Sequence, residues 1–151
     1  MEAIYMINIK KRICLLVILL LICCSGCQAQ NSGYEYMYAP SSIMSIEIVE
    51  LTGFDNDTYK FDENVLLEIE DSNSFISKLD QIPYTRRWNP PLTIEVGSIV
   101  IKITYDTGNF EYIHSNAQRT YDLKQGIYGI RDRNYCFDQP MFDALISQEL
   151  K

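Results

Sequence analysis

The single histidine, His114, is the side chain best suited to acid–base chemistry near neutral pH. A carboxylate on the same predicted hairpin, either Asp106 or Glu111, can orient its ring. No serine motif accompanies this pair, and one imidazole excludes a site that needs two. We therefore expect His114 to be structural or exposed, and we predict no catalytic residue. The alternative is a small hydrolase that uses His114, which requires a cleft holding both groups with perturbed pKa values.

Residues 85–91 combine the only tryptophan with two arginines and a double proline. Arg86, Arg87 and Trp88 are the candidate binding residues, because tryptophan buries a large flat area and a guanidinium donates several directed hydrogen bonds. In an acidic chain, such a basic loop suits an acidic peptide or a carboxylated glycan. The alternative is that Trp88 covers the end of the preceding helix while both arginines stay solvated.

Acidic residues between positions 55 and 63 suggest calcium at first sight. A calcium loop of the EF-hand type needs oxygen ligands at its first, third and fifth positions and glycine at its sixth. Tyr59 and Lys60 break both requirements. The stretch is therefore predicted to be a solvated turn, and we predict neither a metal nor a cofactor for the chain.

The N-terminal region combines a basic segment, Lys10–Arg12, with an unbroken apolar run at positions 13–24. This order is typical of a signal peptide. A helix of that length rises about 18 Å, whereas the hydrocarbon core of a membrane is about 30 Å thick, so a permanent membrane span is disfavoured. Translation can begin at Met1 or at Met6, and the later start gives a more compact basic region.

The apolar run ends in Cys24, Ser25, Gly26 and Cys27. This stretch resembles the lipobox of bacterial lipoprotein precursors, although that family prefers leucine where this chain has Cys24. The resemblance covers the leader only. It implies cleavage before Cys27, acylation of that thiol with palmitate-type chains, and retention on the extracytoplasmic face of the cell membrane, where two acyl chains hold firmly. The alternative is an ordinary signal peptide that is cut further on, for example after Ala29.

Cleavage before Cys27 removes three of the five cysteines and leaves Cys136 as the one free thiol. An intramolecular disulfide is then excluded, and we expect Cys136 to lie in the core, where unpaired cysteine is common. The remaining chain carries ten basic and nineteen acidic residues, a net charge of −9. Such a field repels phosphate backbones, so nucleic acid is not a predicted partner.

The composition predicts three consecutive parts. Residues 1–26 form the signal peptide, residues 27–42 a lipidated tether, and residues 43–151 one folded domain. Tyr34, Tyr36 and Tyr38 alternate within the tether. They suit a short edge strand or a docking strip for sugars or peptides, but local ordering against the domain is the favoured interpretation. The ten tyrosines of this part of the chain are explained mostly by core and rim positions in a sheet.

Alternating apolar and polar residues predict short strands separated by turns. The predicted strands are 43–51, 58–61, 65–70, 92–96, 99–105, 110–114, 119–123 and 127–130. Polar turns are predicted at 53–57 and 62–64, and 106–109 carry a hairpin signal. The alternation of apolar and polar residues shifts by one position at Gly97. This shift indicates a bulge or a turn, because strict alternation otherwise keeps the apolar side chains on one face of the sheet.

Two helices are predicted, the first capped by Asp71 or Ser72 and ended by Pro83, the second capped by Asp138. Their apolar stripes are Phe75, Ile76, Leu79 and Ile82, and Phe142, Leu145 and Ile146. The fold class is therefore α+β, a mostly antiparallel sheet with two helices packed against it. This order of strands and helices resembles that of small uncharacterised lipoproteins of Gram-positive bacteria, which carry no assigned activity.

Export, small size and the lack of a catalytic set favour a membrane-anchored binding or protein-interaction module. Its partners would be the membrane, through lipid on Cys27, and a protein or glycan of the envelope. The alternatives are a small cell-envelope hydrolase using His114, and a structural or immunity-type envelope protein.

Overall fold

The computed structural model describes residues 34–58, 60–86, 94–122, 127–130 and 135–151. All of them belong to a compact unit that spans Asn31–Lys151. The predicted signal peptide, Cys27 and the first part of the predicted tether lie outside the described residues. Within the described ranges, no helix is long and apolar enough to cross a membrane.

An antiparallel sheet of six strands forms the body of this unit. Its strands are β1 (Ile43–Asp55), β2 (Lys60–Glu68), β4 (Ile99–Tyr105), β5 (Phe110–His114), β6 (Ala117–Asp122) and β7 (Ile127–Ile130), in the order β2-β1-β4-β5-β6-β7. A second, two-stranded antiparallel sheet pairs β3 (Tyr84–Arg86) with β8 (Tyr135–Phe137). Two helices, α1 (Ser72–Leu79) and α2 (Gln139–Glu149), and a 3₁₀ turn at Pro40–Ser42 complete the described structure. The predicted fold class, α+β with a mostly antiparallel sheet and two helices, is confirmed.

The main core lies between the helices and one face of the large sheet. Alternate residues of neighbouring strands point to this face, because a strand has a side-chain period of two. The core side chains from the sheet are Ile46, Ile48, Ile101, Ile103, Tyr105 and Ile113, and those from the helices are Phe75, Leu79, Phe142, Leu145 and Ile146. The apolar stripe predicted for each helix is therefore the face that it buries, although Ile76 is only partly covered. Helix α1 ends at Leu79, before the predicted Pro83, so Ile82 joins the core from the segment that follows the helix.

Both helices begin at the predicted cap residues. The carboxylate of Asp71 accepts a hydrogen bond from the Ser74 amide at 2.9 Å, and that of Asp138 accepts one from the Met141 amide at 3.1 Å. Pro140 lies in the first turn of α2, where a missing amide hydrogen costs nothing. Local sequence thus determines where each helix starts.

Replacing Asp138 by alanine is expected to lower the free energy of unfolding by about 1 kcal/mol, because the first turn of α2 loses its side-chain acceptor. Urea denaturation measures the loss. The matched control is Asp138→Asn, which keeps an acceptor oxygen at the cap and should stay close to the wild type. An equal loss in both variants would show that the cap bond does not stabilise α2.

Two glycines with positive φ make the turns that the sequence predicts. Gly108 (φ 79°) closes the hairpin between β4 and β5, and Gly97 (φ 89°) lies in the turn before β4. The amide of Gly97 donates to the Leu51 carbonyl at 2.6 Å, and the amide of Leu51 donates to the Ser98 carbonyl at 3.0 Å. The phase change predicted at Gly97 is therefore a turn that is bonded to β1.

Several predicted strand limits are wrong. Positions 62–64 are not a turn but the middle of β2, where Asp62, Glu63 and Asn64 pair with Gly53, Leu51 and Glu50. On an edge strand the outer side meets water, so consecutive polar residues do not end the pairing. Strand β1 also continues beyond its predicted end, to Asp55. Glu95 and Val96, predicted as strand, lie in the turn before β4.

The short strands β3 and β8 were not predicted. Three residues are too few to show an alternating pattern, and their pairing joins segments that are far apart in the sequence. The folded domain also starts earlier than the predicted Ile43. Tyr34 is 7% exposed and belongs to the main core, so residues 34–42 are part of the domain and not of a free tether.

Candidate functional site

The residues predicted to bind a partner lie in a segment that the structure describes only in part. Arg86 is the last residue of β3, and its backbone pairs with Tyr135 of β8. Arg87, Trp88 and the predicted lipid-attachment residue Cys27 lie outside the described residues. The structure therefore brings one end of the candidate loop onto the small sheet, next to Thr85, which pairs with Cys136.

His114 is bonded to neutral groups. Its Nδ1 lies 2.7 Å from the Asn116 side-chain oxygen and 3.5 Å from Ser115 Oγ. Glu111, one of the two carboxylates predicted to assist it, directs both oxygens to other donors. Asp106 is exposed in the β4–β5 turn. The geometry does not assemble an acid–base pair from these residues.

Cys136 lies in the core, as its residue type predicts. Its Sγ is 3.9 Å from the carbonyl oxygen of Asn116. The prediction of a buried thiol is thus confirmed.

The acidic stretch after β1 forms a local turn. The carboxylate of Asp55 accepts hydrogen bonds from the Thr58 hydroxyl at 2.6 Å and the Asp57 amide at 2.9 Å. These bonds, that of Thr58 first, lower the pKa of Asp55 below its usual value. Among the described residues no group of three or more His, Cys, Asp or Glu side chains is arranged to hold a metal ion.

The most unusual polar feature is a buried cluster of hydrogen bonds around the carboxylate of Glu111, the second residue of β5, which is 0% exposed. Its Oε2 accepts hydrogen bonds from the Tyr34 hydroxyl at 2.9 Å and from the Gln118 amide, and its Oε1 accepts from the Met37 amide at 3.1 Å and from the Tyr105 hydroxyl. A buried carboxylate is tolerated only when its lone pairs are filled in this way. Burial, and then the negative charge of Glu111, raise the pKa of Tyr34 well above its usual value, and the same causes raise that of Tyr105.

The cluster fastens an N-terminal strap, residues 34–42, to the sheet. The ring of Tyr34 stacks on Phe137, with centroids 5.3 Å apart. The Tyr36 hydroxyl donates to Asp80 at 2.6 Å, and the Asn109 side chain donates to the Tyr38 hydroxyl at 2.5 Å. The structure therefore supports local ordering of Tyr34, Tyr36 and Tyr38 against the domain, and not a docking strip or an edge strand.

The opposite face of the large sheet holds a second apolar cluster with paired cations. Lys102 Nζ lies 2.5 Å from Glu63 and 3.8 Å from Glu47, and the Tyr112 hydroxyl also donates to Glu63. The guanidinium of Arg119 lies 5.1 Å from the ring centre of Phe61. These contacts engage the cations within the fold, which makes them poor candidates for binding an external anion.

The edge of the sheet at β2 carries an open cleft of about 310 Å³, between the end of this strand and α1. Its lining includes Leu67, Ile69 and Phe75. Glu68, Glu70 and Asp71, here called the acidic rim, are all exposed. Lys78 also lines the cleft, but it forms an ion pair with Glu149 at 2.7 Å.

Sequence reasoning considered Glu111 only as a helper for His114. A signal for its true position does exist, because Glu111 has the same strand phase as Ile113 and pairs with Ile103 of β4. Both isoleucines lie in the main core, so a carboxylate in that phase must be buried and must find donors. The donors themselves come from three separate segments, the strap, β4 and β6, which no local pattern can reveal.

No protein-family model, no curated protein and no solved structure matches this chain. The functional argument therefore depends on the leader and on the geometry of the described residues.

Proposed function

We propose that the chain is the precursor of a bacterial lipoprotein, whose α+β domain acts on the outer face of the cell membrane as a binding or protein-interaction module. The observation that carries the proposal is the leader, in which Lys10–Arg12 and a short apolar run precede Ser25, Gly26 and Cys27. Lipid on Cys27 would supply two acyl chains, which are enough for stable anchoring.

The position of Tyr34 in the core bears on how the module would be presented. Seven residue steps separate Cys27 from Tyr34. At full extension this segment spans at most about 25 Å. A lipidated domain would therefore be held close to the membrane surface, where it would meet membrane-bound partners and the inner layers of the envelope.

The contacts of His114 favour binding over hydrolysis. A hydrolase would need His114 beside a carboxylate, whereas its ring is bonded to Asn116 and Ser115, and Glu111 is committed to the strap. Arg86, Arg87 and Trp88 remain the proposed contact residues for an acidic peptide or a carboxylated glycan. Pairing of the Arg86 backbone with β8 would give this loop a fixed base.

Changing Cys27 to serine is expected to release the protein from the membrane completely, because serine cannot form the thioether to the lipid. Membrane and soluble fractions of cells expressing each form measure the effect. Intact mass of the native membrane protein should show Cys27 as the first residue, with acyl mass added. The matched control is Cys136→Ser, which removes the buried thiol and should leave both fractionation and mass shift intact.

A native product that retains the leader, or that lacks lipid, would contradict the anchor. The binding role has its own test, which is capture of partners from intact cells after crosslinking. Alanine at Arg86, Arg87 and Trp88 together should reduce that capture while the melting temperature is retained. Unchanged capture by this stable triple variant would remove these residues from the proposal.

A further inference from the structure

Strand β2 is a long, open edge of the large sheet. It stands first in the strand order, and among the described strands β1 alone pairs with it. The outward amides and carbonyls of an edge strand are a template for a further strand. Natural edges are commonly protected by lysine or proline; β2 contains no proline, and its one lysine, Lys60, lies at the opposite end of the strand from Glu68.

Apolar side chains are exposed along the same strand. Val65 is 46% exposed and its neighbour Leu66, the extra residue of β2 at the register shift opposite Ile48 and Val49, is 38% exposed. An added strand would cover part of this apolar surface. Exposed apolar residues that adjoin the outer side of an edge strand commonly mark an interaction surface.

The acidic rim of the cleft beside the end of β2 favours a positively charged ligand. Glu68 and Glu70 of the acidic rim are exposed and form no ion pair with another described residue. The rim's neighbouring cation, Lys78, is already paired with Glu149. The net field at this end of β2 is therefore negative, and it lies above an apolar floor that includes Leu67 and Phe75.

We propose that β2 binds an extended, basic segment of a partner protein as an added strand, with lysine or arginine side chains directed at the acidic rim. The proposal rests on the domain being a binding module and gives that module a second surface, separate from Arg86, Arg87 and Trp88. A second copy of this chain is a poor occupant, because its own net charge is strongly negative.

The first test uses the full chain in a neutral detergent and two synthetic octapeptides, one alternating lysine with valine and one alternating glutamate with valine. The lysine peptide should bind at least about tenfold more tightly, and salt should narrow the difference. Fluorescence anisotropy measures both affinities. Equal affinity for the two peptides would overturn the charge part of the proposal.

Strand addition is separated from simple charge attraction by N-methylation of the lysine peptide. A strand directs alternate amides to its neighbour, so methylation of one alternate set should abolish binding while methylation of the other set is tolerated. Equal binding of both methylated peptides would contradict pairing at an edge.

The location is tested with Val65→Lys, which places a cation on the edge and should weaken binding of the lysine peptide by about tenfold. The matched control is Val96→Lys, because Val96 is 52% exposed and precedes β4, which pairs with the other side of β1. Both variants should keep the wild-type melting temperature. Equal weakening in both, or in neither, would rule out the β2 edge.

Failure here is distinguishable from failure of the proposed function. If Val65→Lys captures envelope partners as well as the wild type while the peptides do not bind, the edge proposal falls and the binding module stands. If neither the wild type nor its variants capture any partner or peptide, both fall. Sedimentation measures whether the chain itself forms a dimer. A wild-type dimer that Val65→Lys converts to a monomer would show that a second copy occupies the edge, and this result would overturn the proposal.

Discussion

Glu111→Leu is expected to lower the free energy of unfolding by about 3–5 kcal/mol, because each buried donor left without a partner costs roughly 1–3 kcal/mol and some donors will find water. The substitution keeps bulk in the core but removes both carboxylate oxygens. Those oxygens accept from the hydroxyls of Tyr34 and Tyr105, the amide of Gln118 and the backbone of Met37. Such a loss is a large share of the 5–15 kcal/mol that stabilises an ordinary domain.

Urea denaturation at neutral pH measures this effect, and two further variants control it. Glu111→Gln keeps the shape and one acceptor oxygen. Its new amide can replace Oε2, where the Tyr34 hydroxyl can turn and the Gln118 side-chain amide can flip to accept from it, so its loss should be clearly smaller. Glu68→Gln makes the same change at an exposed position and should stay within about 0.5 kcal/mol of the wild type. A stability of Glu111→Leu equal to that of Glu68→Gln would show that the buried cluster does not hold the strap.

Rising pH is expected to destabilise the domain sharply above pH 10. The pKa values of Tyr34 and Tyr105 are raised by burial and by the charge of Glu111, whereas the unfolded chain ionises near the usual value of 10.0. The unfolded state therefore releases phenol protons first, and the folded state is penalised as pH increases. The contribution is fully present below pH 10 and declines above it, by up to about 1.4 kcal/mol per pH unit for each phenol.

The measurement is the free energy of unfolding in urea at steps between pH 7 and pH 11. In the double variant Tyr34→Phe, Tyr105→Phe the decline above pH 10 should be shallower by about 2–3 kcal/mol per pH unit, because neither phenol remains to titrate. This variant should also be less stable at pH 7, since Glu111 loses two donors. Parallel slopes for the two proteins would mean that other groups cause the alkaline loss.

The parts of the fold that were predictable are those with local causes. Asp71 and Asp138 cap the helices at their predicted positions, and Gly108 closes the predicted hairpin, since a cap or a tight turn is determined by a few consecutive residues. The apolar phase of β4 likewise identifies the face that lies in the main core, because Ile101, Ile103 and Tyr105 all belong to that core.

The parts that could not be predicted depend on contacts between distant segments. β3 and β8 each stabilise the other and show no pattern alone. β2 looks interrupted at positions 62–64, because an edge strand needs fewer apolar residues than a central one. Tyr34 looks like tether in the sequence, but its hydroxyl donates to Glu111 and its ring stacks on Phe137, and both partners lie far along the chain.

The candidate sites divide in the same way. The predicted leader and the candidate binding residues Arg86, Arg87 and Trp88 are visible in the sequence because composition alone marks them. The β2 edge and its cleft are not, since the acidic rim becomes meaningful only once Glu68 and Glu70 are known to be exposed and unpaired with any described cation. Strand order, which no single segment encodes, decides that β2 is an edge.

The strap also determines how the domain would bear mechanical load. Among the described residues, Tyr34 would be the first to receive a pull from a lipid on Cys27, and Tyr34 is hydrogen-bonded to β5, an interior strand of the six. Tension would therefore enter the middle of the sheet and act on several bonds at once, instead of peeling away a terminal strand one bond at a time. Such an attachment would let force act through the proposed anchor without distorting the proposed binding surfaces.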